Sequence, residues 1–255
     1  MVDMASYPDL DGCSVFVTGG GSGIGAQIVR RFCQQGSKVA FADIDRTCGE
    51  ELAATLAGEG VREPLFLPCD LRDIEALRAS VRRAGEANGP ITVLVNNAAR
   101  DDRHAFDTVT PEYWDERFAV NLRHQFFAAQ AVYPMMKQAG GGSVINMGST
   151  SWMIGQGGMA AYTAAKSAVL GLTRSLARDW GLDNIRVNSI APGWIMTERQ
   201  IKMWLNPDSE RELMTRQCLK RKLEPDDIAR VVLFMASEQS SAMTNQSYIV
   251  DGGWV

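Results

Sequence analysis

Short apolar runs alternate along this chain with longer amphipathic segments. In the N-terminal part, the runs SVFVTG, KVAFAD and PLFLPCD are separated by IGAQIVRRFCQQG and by a helical pattern that starts near Thr47. Further along come ITVLVNN, SVINMGS and NIRVNSI, separated by helical patterns from about Pro111 to Lys137 and through Tyr162 to Trp180. Apolar strands that alternate with helices are typical of a parallel sheet. We therefore predict an α/β fold with a doubly wound parallel sheet and helices on both faces.

The alternation is interrupted between Trp194 and Lys222. This segment is polar, contains Met and Trp residues, and precedes the helical pattern DDIARVVLFMAS and a last short strand in QSYIVDGG. No internal repeat, low-complexity tract or Pro/Ser-rich linker marks a domain boundary. We expect one domain over residues 1–255, in which residues 194–222 form an insertion above a site built by the same sheet.

Composition narrows the possible partners. The net charge is -4 and the Lys and Arg residues are scattered, so we expect no nucleic-acid partner. The N-terminal stretch MVDMASYPDL does not resemble a secretory signal, and no apolar run approaches the roughly 20 residues that span a bilayer. We expect a cytoplasmic protein with no membrane contact, and most of its five widely spaced cysteines buried as thiols. Its two histidines, His104 and His124, are too few for an ordinary zinc site, so we expect no metal.

A glycine-rich turn follows the first apolar run. Residues 19–25 read Gly-Gly-Gly-Ser-Gly-Ile-Gly and lead directly into an amphipathic helical pattern. Glycines let the backbone approach a ligand closely, and free N–H groups at a helix N-terminus bind phosphate. Taken alone, such a turn is equally typical of a flexible loop. Its position between a strand and a helix favours a binding site for a dinucleotide pyrophosphate.

Acidic residues end the next two strands. Asp43 closes the second strand, where a carboxylate can accept hydrogen bonds from the adenosine ribose and would repel a 2′-phosphate. With Ser22 rather than a basic residue in the glycine turn, this favours NAD over NADP. Asp70 ends the third strand and, flanked by Leu71, could reach the adenine. The alternatives are that Asp43 is a helix cap or a solvated turn residue, and that Asp70 is the N-cap of the following helix.

A candidate catalytic group lies in the second half of the chain. Tyr162 and Lys166 are four residues apart in a helical pattern, so both side chains project from one face. An adjacent ammonium and a positive nicotinamide would favour the tyrosine phenolate, which could then remove a proton from an alcohol. Ser149 ends the strand SVINMGS, at the edge where a parallel sheet presents ligand-binding groups, and its hydroxyl could hold the substrate oxygen. A Tyr-x-x-x-Lys pair alone is more often a surface pair, but these surroundings favour catalysis.

Over nearly its whole length the chain resembles the short-chain dehydrogenase/reductase family. The resemblance is carried by TGGGSGIG, NNAA at residues 96–99, Pro192-Gly193 and the four residues of the family's catalytic tetrad, here Asn121, Ser149, Tyr162 and Lys166. It implies a Rossmann fold, NAD(P) binding and assembly as a homotetramer, with the asparagine supporting a water that connects the lysine to solvent. It also implies a mainly dinucleotide-binding half at residues 10–100 and a catalytic half at 110–255, with a substrate lid at about 194–222.

The resemblance further implies, position by position, which residues contact NAD. The glycine turn would hold the pyrophosphate, the acidic ends of the second and third strands the ribose and the adenine, and the segment after the sixth strand the nicotinamide amide. Asn97 would hold the adjoining backbone. The full expected set is Gly19, Ser22, Gly23, Ile24, Gly25, Asp43, Asp70, Leu71, Asn97, Tyr162, Lys166, Pro192, Gly193, Ile195 and Thr197.

Four further stretches resemble bacterial NAD-dependent aldose 1-dehydrogenases, closest to those of the D-xylose type. They are DDRH at 101–104, YWDER at 113–117, NLRH at 121–124 and QCLK at 217–220. Such enzymes oxidise the anomeric hydroxyl of a cyclic aldose to an aldonolactone. A sugar site needs hydrogen-bonding groups and an apolar face, and the expected substrate residues are Ser149, Tyr162, Asp102, Trp152, Trp194 and Arg199. For Arg103, His104, Arg123 and His124, sugar binding and a structural or subunit-contact role stay open.

Two other functions remain as alternatives. A dehydrogenase of a polyol or another secondary alcohol, or a 3-oxoacyl reductase, would use the same catalytic group. A non-catalytic NAD-binding sensor or scaffold is less favoured, because such proteins tend to lose the Tyr-Lys pair that this chain retains.

Overall fold

Seven parallel strands form one continuous sheet in a computed structural model that describes residues 5–255. Residues 1–4, on which part of the predictions about the N-terminal signal and the domain bounds fall, lie outside this range. The strand order is β3-β2-β1-β4-β5-β6-β7. The strands are β1 (Ser14–Thr18), β2 (Lys38–Asp43), β3 (Leu65–Pro68), β4 (Val93–Asn96), β5 (Gly142–Met147), β6 (Ile185–Pro192) and β7 (Ser247–Val250).

Helices connect the strands as the alternation of apolar and amphipathic segments predicts. They are α1 (Gly23–Gln34), α2 (Arg46–Gly58), α3 (Ile74–Asn88), α4 (Pro111–Phe118), α5 (His124–Gln138), α6 (Ala160–Trp180), α7 (Glu198–Met203), α8 (Pro207–Arg216) and α9 (Pro225–Ala236). Short 3-10 turns lie at Pro8–Leu10, Phe106–Thr108, Gly181–Asp183 and Glu238–Ser240. The helical pattern predicted from Pro111 to Lys137 is divided by a π-helical turn, Ala119–Arg123, which joins α4 to α5.

Two apolar layers cover the two faces of the sheet, which confirms the doubly wound fold. On one face the buried side chains of α1 and α9, such as Phe32 and Val232, pack against strand residues such as Val17. On the other face α3, α5 and α6 supply the buried layer, including Leu77 and Val132. The inner strand β1 is buried at every position because helices cover both of its faces.

The chain reverses direction across the sheet between β1 and β4. From β1 the chain moves outward through β2 to β3, then returns to pair β4 with the other side of β1. In an open parallel sheet such a reversal leaves a crevice beyond the carboxyl ends of the two strands. The glycine turn that follows Thr18 lies at this point, which positions the site.

The segment at 194–222 is more regular than its sequence pattern indicated. It contains α7 and α8, whose N-termini are capped by the side chains of Thr197 and Asn206. Its residues are mostly polar because α7 buries no residue and α8 buries only Leu213, so the 3.6-residue periodicity is weak. Within residues 5–255, no helix is both long and apolar enough to cross a bilayer.

The prediction that most cysteines are buried is wrong. Only Cys33 and Cys69 are buried, whereas Cys13 and Cys48 are half-buried and Cys218 is exposed. Burial raises the pKa of the Cys33 thiol to about 12, since the thiolate loses hydration. None of the five is disulfide-bonded.

Candidate active site

A cleft of about 1130 Å³ runs along the carboxyl ends of the strands. Most residues of the predicted cofactor set line it: Gly19, Ser22, Gly23, Ile24, Asp43, Asp70, Leu71, Asn97, Tyr162, Lys166, Pro192, Gly193, Ile195 and Thr197. Gly25 and Asn121 are not in the lining, because both support it from behind. The sheet therefore brings together residues that are up to about 180 positions apart in the sequence.

The glycine turn packs so closely against its neighbours that side chains would not fit. A Cβ at Gly25 would lie 1.9 Å from the carbonyl oxygen of Gly19, and one at Gly19 would lie 2.7 Å from the Cα of Ala98. Gly19 and Gly23 also have φ angles of 66° and 55°, a region that favours glycine. Ser22 is the N-cap of α1 but its side chain caps no N–H group. The first turn of α1 therefore keeps N–H donors for a phosphate.

Asn97 and Asp43 fix the two sides of this turn. The Asn97 amide donates to the carbonyl oxygens of Thr18 and Gly19 at 3.1 and 2.8 Å, which joins β4 to the end of β1. The Asp43 carboxylate accepts from the N–H groups of Gly21 and Asp45 at 2.8 and 3.0 Å. The cap of α2 is Asp45, so the alternative that Asp43 is a helix cap is wrong.

Asp70 is not the N-cap of the following helix, which was the alternative to adenine binding. The N-cap of α3 is Asp73, which accepts from the N–H of Ala76. Asp70 instead forms an ion pair with Arg72 at 2.6 Å, and the hydrogen bond from Arg72 lowers the pKa of the Asp70 carboxyl. Asp70 and Leu71 remain in the cleft lining, at the end that Asp43 borders.

Ser149, Tyr162 and Lys166 meet at the centre of the cleft. Ser149 follows β5, and its hydroxyl accepts from the N–H of Ser151 at 3.1 Å. In α6 the Lys166 ammonium lies 5.8 Å from the Tyr162 ring centroid and donates to the carbonyl oxygen of Met147 at 2.7 Å. The Ser149 hydroxyl also lies close enough to the Tyr162 phenol to lower its pKa.

The ionisation of this group differs from the sequence prediction. Burial raises the pKa of Tyr162 to about 12, with a smaller lowering by the hydrogen bond to Ser149, so Lys166 is not the dominant influence. Burial likewise lowers the pKa of Lys166 to about 7. Both shifts favour the neutral form, because a charge in this interior loses its hydration. Lys166 is only 2% exposed, which accounts for the size of its shift.

Asn121 lies behind the catalytic group, within the π-helical turn between α4 and α5. Its amide donates to the carbonyl oxygens of Arg100 and Arg117 at 3.1 and 2.9 Å, and its Oδ1 accepts from the N–H of Arg100 at 2.9 Å. π-Helical turns occur frequently at functional sites. Here the turn holds the loop after β4 next to α6. The Asn121 carbonyl oxygen accepts from the Gln125 amide at 3.2 Å.

The predicted substrate residues lie in different surroundings. Trp194 and Arg199 line the cleft, whereas Asp102 and Trp152 are not among its lining residues. Asp102 is bound by three guanidinium groups, those of Arg100, Arg117 and Arg199. These ion pairs use the Asp102 carboxylate to hold the loop after β4 in place. No sequence pattern indicated this structural role.

Sequence reasoning missed the residues that complete this end of the cleft: Asp101, Gln156, Met159, Gln200, Trp204 and Trp254. Gln200 donates to Asp101 at 2.7 Å and accepts from the indole N–H of Trp194 at 2.9 Å. Asp101 lies in the stretch DDRH, which the sequence analysis connected with sugar binding. The sequence of this stretch does not show which of Asp101 and Asp102 lines the cleft. The other residues lie on surface helices and loops without a local signal.

The cleft fits a nicotinamide dinucleotide. At one end are the uncapped first turn of α1, the glycines without room for a Cβ and the Asp43 carboxylate. At the centre of the cleft are the hydroxyl groups of Ser149 and Tyr162. These groups define an oxidoreductase site, with phosphate-binding backbone on one side and a proton-transferring pair on the other.

Comparison with known proteins agrees with this arrangement. A family model described as enoyl-(acyl carrier protein) reductase matches residues 19–255. The chain is 49% identical over 249 residues to a protein of Rhizobium meliloti strain 1021 named "Probable galactose dehydrogenase GalD", covering 98% of this chain and 97% of that one. It is 46% identical over 250 residues to D-xylose 1-dehydrogenase of Caulobacter vibrioides strain NA1000 / CB15N, covering 98% of each.

A solved structure of 7 alpha-hydroxysteroid dehydrogenase, complexed with NADH and 7-oxo glycochenodeoxycholic acid, is similar to the fold. Its TM-score is 0.92 at 30% identity, over 97% of this chain and 96% of that one. The chain thus belongs to the short-chain dehydrogenase/reductase family. It is an oxidoreductase that acts on CH–OH groups and uses NAD(P)(H).

Proposed function

We propose that this protein oxidises the anomeric hydroxyl of a cyclic aldose to an aldonolactone, with NAD as the hydride acceptor. The observation that carries the proposal is the meeting of Ser149, Tyr162 and Lys166 between the glycine turn and a polar substrate end of the cleft. The names of the two relatives, a galactose dehydrogenase and a D-xylose 1-dehydrogenase, support an aldose as the substrate.

The chain's own residues would handle the proton and the substrate oxygen. The Ser149 hydroxyl holds the C1 oxygen of the sugar, and the Tyr162 phenolate accepts its proton as the C1–O bond becomes a carbonyl. The C1–H electron pair leaves as hydride, for which bound NAD supplies the acceptor. Lys166 is held by the Met147 carbonyl and can pass the proton from Tyr162 towards the region of Asn121.

The preference for NAD follows from Asp43. Its carboxylate is fixed by the N–H groups of Gly21 and Asp45, beside the place where an adenosine ribose would lie. It can accept hydrogen bonds from two ribose hydroxyls, whereas a 2′-phosphate would meet a fixed negative charge. We expect Asp43→Asn to reduce the ratio of kcat/KM for NAD to that for NADP by about tenfold or more. An unchanged ratio would contradict the assignment.

An aldose suits the substrate end of the cleft better than an apolar alcohol. Asp101, Arg103 and Gln200 present charged or amide groups there, and Trp194 and Trp204 offer apolar faces. A steroid or acyl chain would cover the charges of Asp101 and Arg103 without offering them hydrogen bonds, which is costly. A sugar offers hydroxyl groups to the polar side chains and C–H surface to the indoles.

We also propose a homotetramer, a cytoplasmic location and a lid at residues 194–222. The lid is supported by Trp194, Arg199, Gln200 and Trp204, which lie in this segment and border the cleft.

Mass measurement in solution at several protein concentrations tests the assembly, since a stable monomer or dimer would contradict it. Fluorescently tagged protein tests the location in cells of the source organism.

The activity is tested by following reduced nicotinamide formation with NAD or NADP and a panel of aldoses, polyols and simple secondary alcohols. We expect turnover of an aldose with NAD, and detection of the lactone before it hydrolyses. Turnover of only a polyol, a secondary alcohol or, in the reverse direction, a 3-oxoacyl thioester would reject the aldose and retain the oxidoreductase. A chain that binds NAD and turns over nothing would be a sensor.

A further inference from the structure

Arg103 lies at the substrate end of the cleft without a carboxylate partner. The neighbouring arginines all form ion pairs with Asp102: Arg100, Arg117 and Arg199. Within residues 5–255, no carboxylate forms an ion pair with Arg103. Its Nη1 has only the sulfur of Met159 at 3.3 Å, and sulfur is a weak acceptor. Most of its five N–H donors are therefore left for a ligand or for water.

The Arg103 guanidinium is held in place by an aromatic ring of α7's C-terminal end. Its Cζ lies 5.0 Å from the ring centroid of Trp204, a distance at which a cation interacts with the π face. His104, the next residue, donates its backbone N–H to the carbonyl oxygen of Gly158, which fixes the loop near α6. The side chain is exposed, yet it is stacked at a defined place in the cleft lining.

Arg103 is also close enough to Tyr162 to affect it. Burial is the largest influence on the pKa of the Tyr162 phenol and raises it, whereas the positive charge of Arg103 lowers it. Arg103 and Tyr162 also line the same cleft. A sugar that places its reacting hydroxyl at Tyr162 can therefore extend along this cleft towards Arg103.

We propose that Arg103 is the specificity-determining residue that binds two neighbouring hydroxyls of the aldose away from C1, with Trp204 holding its guanidinium. This inference rests on the proposed function. A planar guanidinium presents parallel N–H donors, which match a pair of oxygens on adjacent carbons. An apolar substrate would cover the same cation without satisfying it, so Arg103 also selects against apolar alcohols.

The test compares two substrates that share the reacting group. One is the aldose that the wild type oxidises with the highest kcat/KM, and the other is 2-hydroxytetrahydropyran, a lactol without further hydroxyls. We expect Arg103→Met to reduce the ratio of kcat/KM for the aldose to that for the lactol by roughly tenfold or more, mainly through a higher KM for the aldose. Arg103→Lys, which keeps the charge but not the fork, should recover only part of the ratio.

Variants at two further positions, Trp204 and Arg62, separate this role from a general effect. Trp204→Leu should lower the ratio in the same direction, and Trp204→Phe should restore most of it, because a ring again supports the guanidinium. Arg62→Met is the matched control, since Arg62 is an exposed arginine just before β3, at the other end of the strands. It should leave the ratio unchanged. NADH binding and thermal unfolding of each variant confirm that it is folded.

The outcomes distinguish the two proposals. A wild type that oxidises an aldose, together with an Arg103→Met ratio equal to that of the wild type, overturns the role of Arg103 and keeps the proposed function. A wild type that oxidises no aldose overturns both. A preference of the wild type for a uronic acid over neutral aldoses that Arg103→Met removes would mean that Arg103 binds a carboxylate, and would overturn the assignment to hydroxyls.

Discussion

At the scale of single residues, desolvation dominates the candidate catalytic group. The pKa of Tyr162 rises to about 12 and that of Lys166 falls to about 7, so both side chains favour neutrality in the folded chain. A phenol with a raised pKa is a stronger base once deprotonated but is less often in that form near neutral pH. Charges near Tyr162 should therefore determine the pH dependence of oxidation.

Replacing the candidate base tests its role directly. We expect Tyr162→Phe to lower kcat by roughly 10²- to 10⁴-fold, the range of general-base catalysis, because the proton of the substrate hydroxyl loses its acceptor. Binding of NADH, measured by fluorescence titration, should stay close to that of the wild type. Tyr248→Phe in β7 is the control with a tyrosine outside the cleft lining. Near-normal turnover by Tyr162→Phe would reject the mechanism.

Asp101 should move the pH profile in a predictable direction. After burial, its negative charge is a cause of the raised pKa of Tyr162. Asp101→Asn removes that charge and keeps one of the two oxygens, which can accept from Gln200 or from Arg199. The acid limb of log kcat/KM for oxidation should therefore move to lower pH, and for Arg103→Met it should move to higher pH. Shifts of the same sign in both variants would mean that at least one of the two charges does not act on Tyr162 as expected.

At the scale of elements, the site depends on close approach between the glycine turn and its neighbours. The turn at the end of β1, the amide of Asn97 after β4 and the first turn of α1 share a space in which Gly25 has no room for a side chain. Such backbone contacts explain why the local sequence could be interpreted correctly. Glycine occurs at the positions where the backbone approaches its neighbours too closely for a side chain, so the spacing of the glycines indicates these contacts.

A single methyl group tests this packing. Gly25→Ala would place a Cβ 1.9 Å from the carbonyl oxygen of Gly19. We expect a loss of about 1–3 kcal/mol in the free energy of unfolding and weaker NADH binding, because the turn must shift. Gly58→Ala, at the end of α2 with open space around its Cβ, is the matched control. It should be neutral or stabilise the protein by up to about 1 kcal/mol. Equal effects of the two changes would contradict the argument.

At the scale of the whole molecule, a buried histidine couples the fold to pH. His124 is fully buried at the start of α5. Burial, and then the positive charge of Lys166, lower its pKa from 6.5 to about 3. The sequence left His124 between sugar binding and a structural role, and its burial favours the structural role.

The sign of the effect on stability follows from proton binding. Below pH 6.5 the unfolded chain protonates His124 while the folded chain keeps it neutral, so the free energy of unfolding falls as the pH is lowered towards 3. We expect His124→Gln to show a shallower fall between pH 6.5 and about 4.5, above the range in which most carboxylates titrate. Denaturant unfolding at a series of pH values measures this. An unchanged slope would show that His124 titrates alike in the folded and unfolded chains.

The sequence by itself determined the order of strands and helices, the glycine turn and the positions of Ser149, Tyr162 and Lys166. These features depend on periodicity or on fixed spacing over a few residues, which backbone geometry translates directly into structure. The fold class is confirmed for the same reason. Asp43 could also be identified, because it ends the strand next to the glycine turn.

Only the tertiary structure decided which polar residues border the substrate end of the cleft. Asp102 is bound to Arg199, 97 positions away, and does not line the cleft. Arg103 has no carboxylate partner among the described residues and stacks on Trp204. The directions of the pKa shifts of Tyr162, Lys166 and His124 were likewise decided by burial. Such contacts join distant parts of the chain, so a local pattern of residues does not predict them. The hydration that a buried charge loses depends on every group packed around it, so a local pattern does not predict the pKa shifts.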